Sequence, residues 1–286
     1  MNFIWMILFL VLAPFAGGLI SGMDRILTAR MQGRVGPPIF QPFYDIGKLF
    51  QKEKLRINGM QNFCILSYLV LILVTGAIFF GGGDLLLVVF SLMLAHVFLV
   101  LAGETASSPY SHIGAQRELL QVMAVEPMLI LYAVGFYIVA GSFTVASIIG
   151  NGTTHGISYI WLLLGVFLGL VYIFTIKLRK SPFDLSTSHH AHQELVKGVT
   201  TEISGPSLGL YEIAHLYEVI IILGMIGIFF AGAPLLCICI LVLLYILEVF
   251  VDCSTARVKW QLMVKSSWLV IGLLALVNIV ALSLFG

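Results

Sequence analysis

Eight stretches of roughly twenty apolar residues leave this chain few ways to fold. A helix rising about 1.5 Å per residue needs about 20 such residues to cross roughly 30 Å of hydrocarbon. Runs of that length occupy 2–22, 62–81, 84–103, 119–140, 157–177, 207–231, 234–252 and 265–285. Only 10% of the residues are charged against 60% hydrophobic, too little polar surface to cover a water-soluble body. The expectation is an all-α, polytopic integral membrane protein of about eight transmembrane helices, one membrane domain over 1–286. The first run has no basic segment ahead of it and no small-residue cleavage site, so it reads as a retained span.

The basic residues divide the connections into two classes. Of fifteen Lys and Arg, seven fall between runs one and two, one (Arg117) between three and four, four between five and six, and three around the seventh connection. The N-terminus, the even-numbered connections and the C-terminus hold none. Under the positive-inside rule the odd loops (23–61, 104–118, 178–206 and 253–264) are cytoplasmic, and both termini lie outside a cell membrane. Within the first loop Phe43, Ile46, Leu49 and Phe50 recur at helical spacing after Gln41-Pro42, which predicts an amphipathic helix at the cytoplasmic interface of the lipid bilayer.

Several chemistries find no support. The four cysteines (Cys64, Cys237, Cys239, Cys253) form no C-x-x-C pair, which argues against a disulfide framework, a zinc site or an iron–sulfur cluster in this chain. No basic patch points to nucleic acid, and no phosphate loop, nucleophile elbow or flavin fingerprint occurs. Gly33, Gly36 and Gly114 read as turn residues. The candidates are instead ionisable groups set in apolar runs, where charge is costly and faces a bundle interior or water. Glu126 lies in the fourth run, and Glu212, His215 and Glu218 follow one another at steps of three in the sixth, where neighbours on a helix meet. Glu248 and Asp252 end the seventh run, Glu104 and Glu118 bracket the third loop, and Glu202 closes the fifth. Carboxylates and imidazoles linked by water pass protons. Pairing with arginine or capping of helix ends is the structural alternative. The fifth loop also gathers Asp184, His189, His190, His192 and Glu194, whose spacing matches no common metal site and reads as a hydrogen-bonding or proton-handling set.

The polar loops carry a resemblance. Asp24-Arg25, Gln32-Gly33-Arg34-Val35-Gly36-Pro37, Gln41-Pro42, Asp45, Lys48-Leu49-Phe50 and Lys52-Glu53 resemble the first cytoplasmic loop of the quinone-site membrane subunit of respiratory complex I. The pattern goes on through Gly103, Ser108, Tyr110, Gly114, Arg117, Gln121 and Glu126, then Pro182-Phe183-Asp184-Leu185, Glu194-Leu195-Val196, Gly198, Glu202 and Ser204-Gly205. Gly36-Pro37-Pro38-Ile39-Phe40-Gln41 is six residues shorter than the family's first loop, and STSHHAHQ replaces its acidic run. These departures resemble the matching subunit of Ech-type, energy-converting membrane-bound [NiFe] hydrogenases.

That resemblance implies a membrane-anchoring and ion-coupling subunit with no catalytic residues, cofactor or metal of its own. The [NiFe] centre and iron–sulfur clusters would sit in partner subunits: the hydrogenase large and small subunits and a ferredoxin-like iron–sulfur subunit. An antiporter-like membrane subunit would complete the set. It places Glu126 and Glu202 on a glutamate path between the two arms, which extends to Glu212, His215 and Glu218 as an expectation of this sequence. Arg25, Arg34, Asp45, Lys48, Arg117 and Lys180 would form the docking interface. The alternatives are a quinone-site subunit of a complex I-like oxidoreductase and a stand-alone transporter. Against the latter, the chain shows no inverted repeat.

Overall fold

The computed structural model describes residues 2–53, 58–154, 159–180, 182–183 and 197–285. Its elements are α1 (Phe3–Met31), α2 (Gln41–Gln51), α3 (Gly59–Phe80), α4 (Leu85–Glu104), α5 (Pro109–Ala140), α6 (Val145–Thr154), α7 (Tyr159–Leu162), α8 (Leu164–Lys177), α9 (Gly205–Gly227), α10 (Pro234–Ser254), α11 (Trp260–Val270) and α12 (Val277–Phe285). A π-helical turn, Ile271–Leu276, joins the last two into one rod. Among the described residues, seven helices are long and apolar enough to cross a membrane, counting Gly205–Phe230 and Trp260–Leu284 as single rods.

The fifth expected span, 157–177, is the one that departs. It is divided at Leu163, where the backbone leaves the helical region, into α7 and the fourteen-residue α8. Asn278 donates its side-chain amide to the Leu162 carbonyl at 3.2 Å, so a polar group from the last rod serves the break. The opposite rod bulges into its π turn where Gly165 approaches it, since a Cβ there would sit 2.2 Å from the Leu274 carbonyl oxygen.

Loop boundaries also shift. The third loop shrinks from 104–118 to residues 105–108, because α5 starts at Pro109 and carries Arg117 and Glu118 as helical residues. The first span likewise runs nine residues past 22. Polar side chains at these positions do not end a helix when they find partners inside the protein. Gly114, read as a turn residue, is helical, and its lack of a Cβ admits the backbone of Gly198 and Val199, which a methyl would meet at 2.4 Å. Gly33 does lie in a turn, with φ +70°.

The two classes of connection segregate to opposite ends of the bundle. At one end Asn2 donates to Gly81, and Leu85 and Val145 donate backbone bonds to Phe143 and Gly83. Asp84 caps α4 there by accepting from the Leu86 and Leu87 amides. At the other end the odd loops are tied together: Asn58 donates to the Thr105 carbonyl, the Ser107 amide donates to Glu202, and Val258 donates to Pro182. The predicted amphipathic helix is α2. Its Phe43 ring lies against Gly18 of α1 and its Phe50 ring against Gly209 of α9, while Tyr44 and Lys48 face outward. The helix α9 is the most enclosed of the long ones, so side chains on its inner face are removed from lipid and solvent alike.

Candidate functional site

The polar end opens into a cleft of about 670 Å³ between α1, α2, the 178–180 turn, α9 and α10. Its walls carry charge of both signs, with two ion pairs among them. Arg25 meets Asp45 at 2.6 Å, and Gln41, one turn earlier on α2, donates to the other Asp45 oxygen at 2.8 Å. Lys180 meets Asp24 at 2.6 Å and lies 4.8 Å from the centre of the Tyr245 ring. Arg34 bonds the Gln32 side chain. Glu212 and His215 of α9 line the floor.

One turn further into the bundle the α9 side chain is Glu218, 1% exposed. Tyr68 of α3 donates its hydroxyl to one oxygen at 3.1 Å. The other oxygen lies 2.9 Å from Nε2 of His96 on α4 and 3.6 Å from Nζ of Lys177 at the end of α8. His215 Nδ1 stands 3.9 Å away, beyond hydrogen-bond range, and so links the buried carboxylate to the cleft floor by proximity alone. Four helices therefore converge on one carboxylate.

The histidine at the centre faces a conflict. His96 Nδ1 lies 2.7 Å from the Leu92 carbonyl, which only accepts, so Nδ1 carries a proton. Nε2 then faces a carboxylate, which wants a donor, and at 3.0 Å the Lys177 ammonium, which wants an acceptor. An imidazolium satisfies Glu218 and opposes Lys177. A neutral ring satisfies Lys177 and turns a lone pair towards Glu218 Oε1, leaving the carboxylate the Tyr68 hydroxyl on its other oxygen. While Lys177 is an ammonium, Nε2 can serve either it or Glu218, so moving one proton within the cluster exchanges one contact for another.

A second buried group adjoins the first. Arg179 donates to Glu118 Oε1 at 2.8 Å and to the Tyr211 hydroxyl, and Tyr211 stacks on Tyr68 at 6.2 Å between ring centres. Arg179 sits just past the end of α8 at φ +56°, in the left-handed region where a side chain costs about 1–2 kcal/mol. The strain is held by the arginine's own buried bonds. By position in the chain, Lys177 and Arg179 belong with the exposed basic residues of the fifth loop. Both are instead buried, because the end of α8 lies inside the bundle beside the carboxylates Glu218 and Glu118.

The remaining expected residues are dispersed around this centre. Glu126 is partly buried on α5, with one carboxylate oxygen lacking a hydrogen-bond partner among the described residues. Glu202 lies outside the cluster and holds the third loop through the Ser107 amide. Of the expected docking set, Lys180 is turned inward with its side chain only 10% exposed, since Asp24 and Tyr245 hold it. Arg25 and Asp45 pair with each other at the cleft mouth, whereas Lys48 is exposed and Arg117 half-buried. Asp184, His189, His190, His192 and Glu194 lie outside the described residues. His96 and Tyr68 escape sequence reading. A lone histidine inside an apolar run is the available signal for the first, and an inward-facing tyrosine has none.

Comparison with known proteins gives this arrangement its relatives. The chain is 35% identical to hydrogenase-4 component C of Escherichia coli over 216 residues, a stretch covering 71% of this chain and 66% of that protein, just under two thirds of its length. It is 27% identical to formate hydrogenlyase subunit 4 of the same organism, covering 92% and 94% of the two chains. It is 25% identical to an NADH-quinone oxidoreductase subunit of Aquifex aeolicus, covering 81% and 77%. Among solved structures, a chain of the membrane-bound sulfane sulfur reductase, an archaeal respiratory membrane complex, shares the fold at a TM-score of 0.82 over 98% of this chain and 99% of that one, with 23% identity. One family, NADH dehydrogenase, accounts for residues 3–283, and the chain belongs to it as a membrane subunit of the kind found in both complex I and the hydrogenases.

Proposed function

We propose that this chain is the membrane-anchoring and ion-coupling subunit of a ferredoxin-linked, energy-converting [NiFe] hydrogenase. Its odd loops face the cytoplasm, where they seat the hydrogenase large and small subunits and a ferredoxin-like iron–sulfur subunit that hold every redox centre. Laterally it contacts an antiporter-like subunit. The observation that carries the coupling role is the buried His96–Glu218–Lys177 cluster, in which a carboxylate and an ammonium meet at one imidazole nitrogen. His215 and Glu212 connect that cluster to the cleft under the docking face, and Glu126 of α5 is a further partly buried acid on the path. A charge change delivered at the cleft is thereby felt within the bilayer, where low dielectric carries it further than water would. The two Escherichia coli hydrogenase-type relatives support the hydrogenase assignment.

A second reading, a quinone-site subunit, draws on the likeness to the Aquifex aeolicus quinone oxidoreductase and on a cleft roomy enough for a headgroup. The dense pairing of charges along that cleft favours water and protons over an isoprenoid tail.

The test is Glu218→Gln in the whole complex, reconstituted in liposomes and driven by reduced ferredoxin. Hydrogen evolution with ion uptake lowered at least tenfold per electron is the expected result. An unchanged ion-to-electron ratio refutes the relay. Quinone reduction without hydrogen evolution by the parent complex would replace the first reading by the second.

A further inference from the structure

Glu248 stands apart from the cluster just described. It projects from α10, is 2% exposed, and its Oε1 has no hydrogen-bond partner among the described residues. Lys180, from the turn after α8, lies over the ring of Tyr245, one turn before Glu248 on the same helix. Tyr245 and Asp252, at i−3 and i+4, share its helix face and line the cleft, as do Asp24, Lys180, Glu212 and His215. The Lys180 ammonium is already engaged by Asp24 at 2.6 Å. Among the described residues the ammonium beside this face is held by Asp24, so an anion here would lack a counter-ion of its own. The described residues offer no cluster of metal ligands to neutralise it instead.

We infer that Glu248 is a second proton-holding site on the α10 face behind the cleft lining, and that Lys180 exchanges its ion pair with Asp24 for one with Glu248 as a proton moves the opposite way. Before the exchange Asp24 is an anion bound to Lys180 and Glu248 is a neutral acid. Afterwards Lys180 pairs with the Glu248 anion and Asp24 carries the proton. One O–H bond breaks at Glu248 and one forms at Asp24, with no change in total charge, so the step needs no redox partner. Asp24 faces the cleft, and its proton is then open to the compartment that the cleft meets. The Tyr245 ring, over which Lys180 already lies, gives the ammonium a surface along which to move. The site deepens the proposed coupling role by giving the cleft its own store of protons, separate from Glu218.

Infrared spectroscopy of the intact resting complex at neutral pH tests this without turnover. The parent should show a protonated-carboxyl carbonyl band, shifted in heavy water, that Glu248→Gln removes. Asp24→Asn, which frees Lys180 for Glu248, should remove the same band and raise carboxylate absorbance while Glu248 itself is retained. A band intact in Glu248→Gln overturns the site, and one intact in Asp24→Asn overturns the exchange. Should Glu248→Gln fail to assemble, Asp24→Asn decides both by whether the band is lost. Since the band is read without ion transport, its absence leaves the Glu218 relay standing, and a failed relay leaves Glu248 standing.

Discussion

The Glu118–Arg179 pair offers the sharpest measurement of how much the buried charges contribute to the fold. Glu118 is 0% exposed, the Arg179 side chain 4%, and their contact is 2.8 Å. Replacing Glu118 by Gln keeps the shape and removes the charge. Losing one partner of a buried pair costs about 3–5 kcal/mol, because the other is left uncompensated. The glutamine oxygen still accepts and Tyr211 still receives the guanidinium, so the lower end applies, about 3 kcal/mol, or roughly a hundredfold in the unfolding equilibrium. Unfolding of the purified protein in mixed micelles, titrated with denaturing detergent, reads that change. The double variant Glu118→Gln with Arg179→Met removes both the buried cation and its need for a partner. It should recover to within about 1 kcal/mol of the parent, since the left-handed backbone at 179 is common to both and cancels. A single change that costs under about 1 kcal/mol, or a double that equals the sum of the singles, refutes the claim that these residues act as a compensated unit.

Three further outcomes test the packing and the loops. Gly114→Ala drives a methyl into the Gly198–Val199 backbone and should destabilise by about 1–3 kcal/mol, with earlier proteolysis of the fifth loop as the local readout. Asp84→Ala removes the cap on α4 and should cost about 1 kcal/mol in the same unfolding assay, without altering ion-to-electron coupling. Arg25→Glu combined with Arg34→Glu should change stability by under about 1 kcal/mol, since the Arg25–Asp45 pair is 42% and 37% exposed. The same variant should lose the peripheral subunits on purification, and their full retention would count against docking at this loop.

Much of the architecture is readable along the chain because its causes are local. Apolar runs of membrane-crossing length, the Gly81-Gly82-Gly83-Asp84 turn and the Phe43/Ile46/Leu49/Phe50 stripe each follow from neighbours in sequence, and α3, α4 and α2 lie where those signals put them. Glu218 and His215 are legible for the same reason, as ionisable groups at helical spacing within an apolar run. The 104–118 boundaries move because charge along a chain does not by itself mean exposure. Arg117, Glu118, Lys177 and Arg179 are polar in composition, but three of the four are buried by partners on other helices.

Membrane residence, seven of the eight expected long helices and the sorting of loops into two ends follow from hydropathy and charge, quantities that each residue carries wherever it is placed. The relation among Tyr68, His96, Lys177 and Glu218 does not, since they belong to four helices spread over 150 positions and meet only after those helices pack. The same holds for Lys180, which the chain offers as one more surface cation and which the fold turns onto Asp24 and Tyr245. Whether a charge faces a partner protein or a buried acid depends on distance in space, and at these separations in sequence only packing sets that distance.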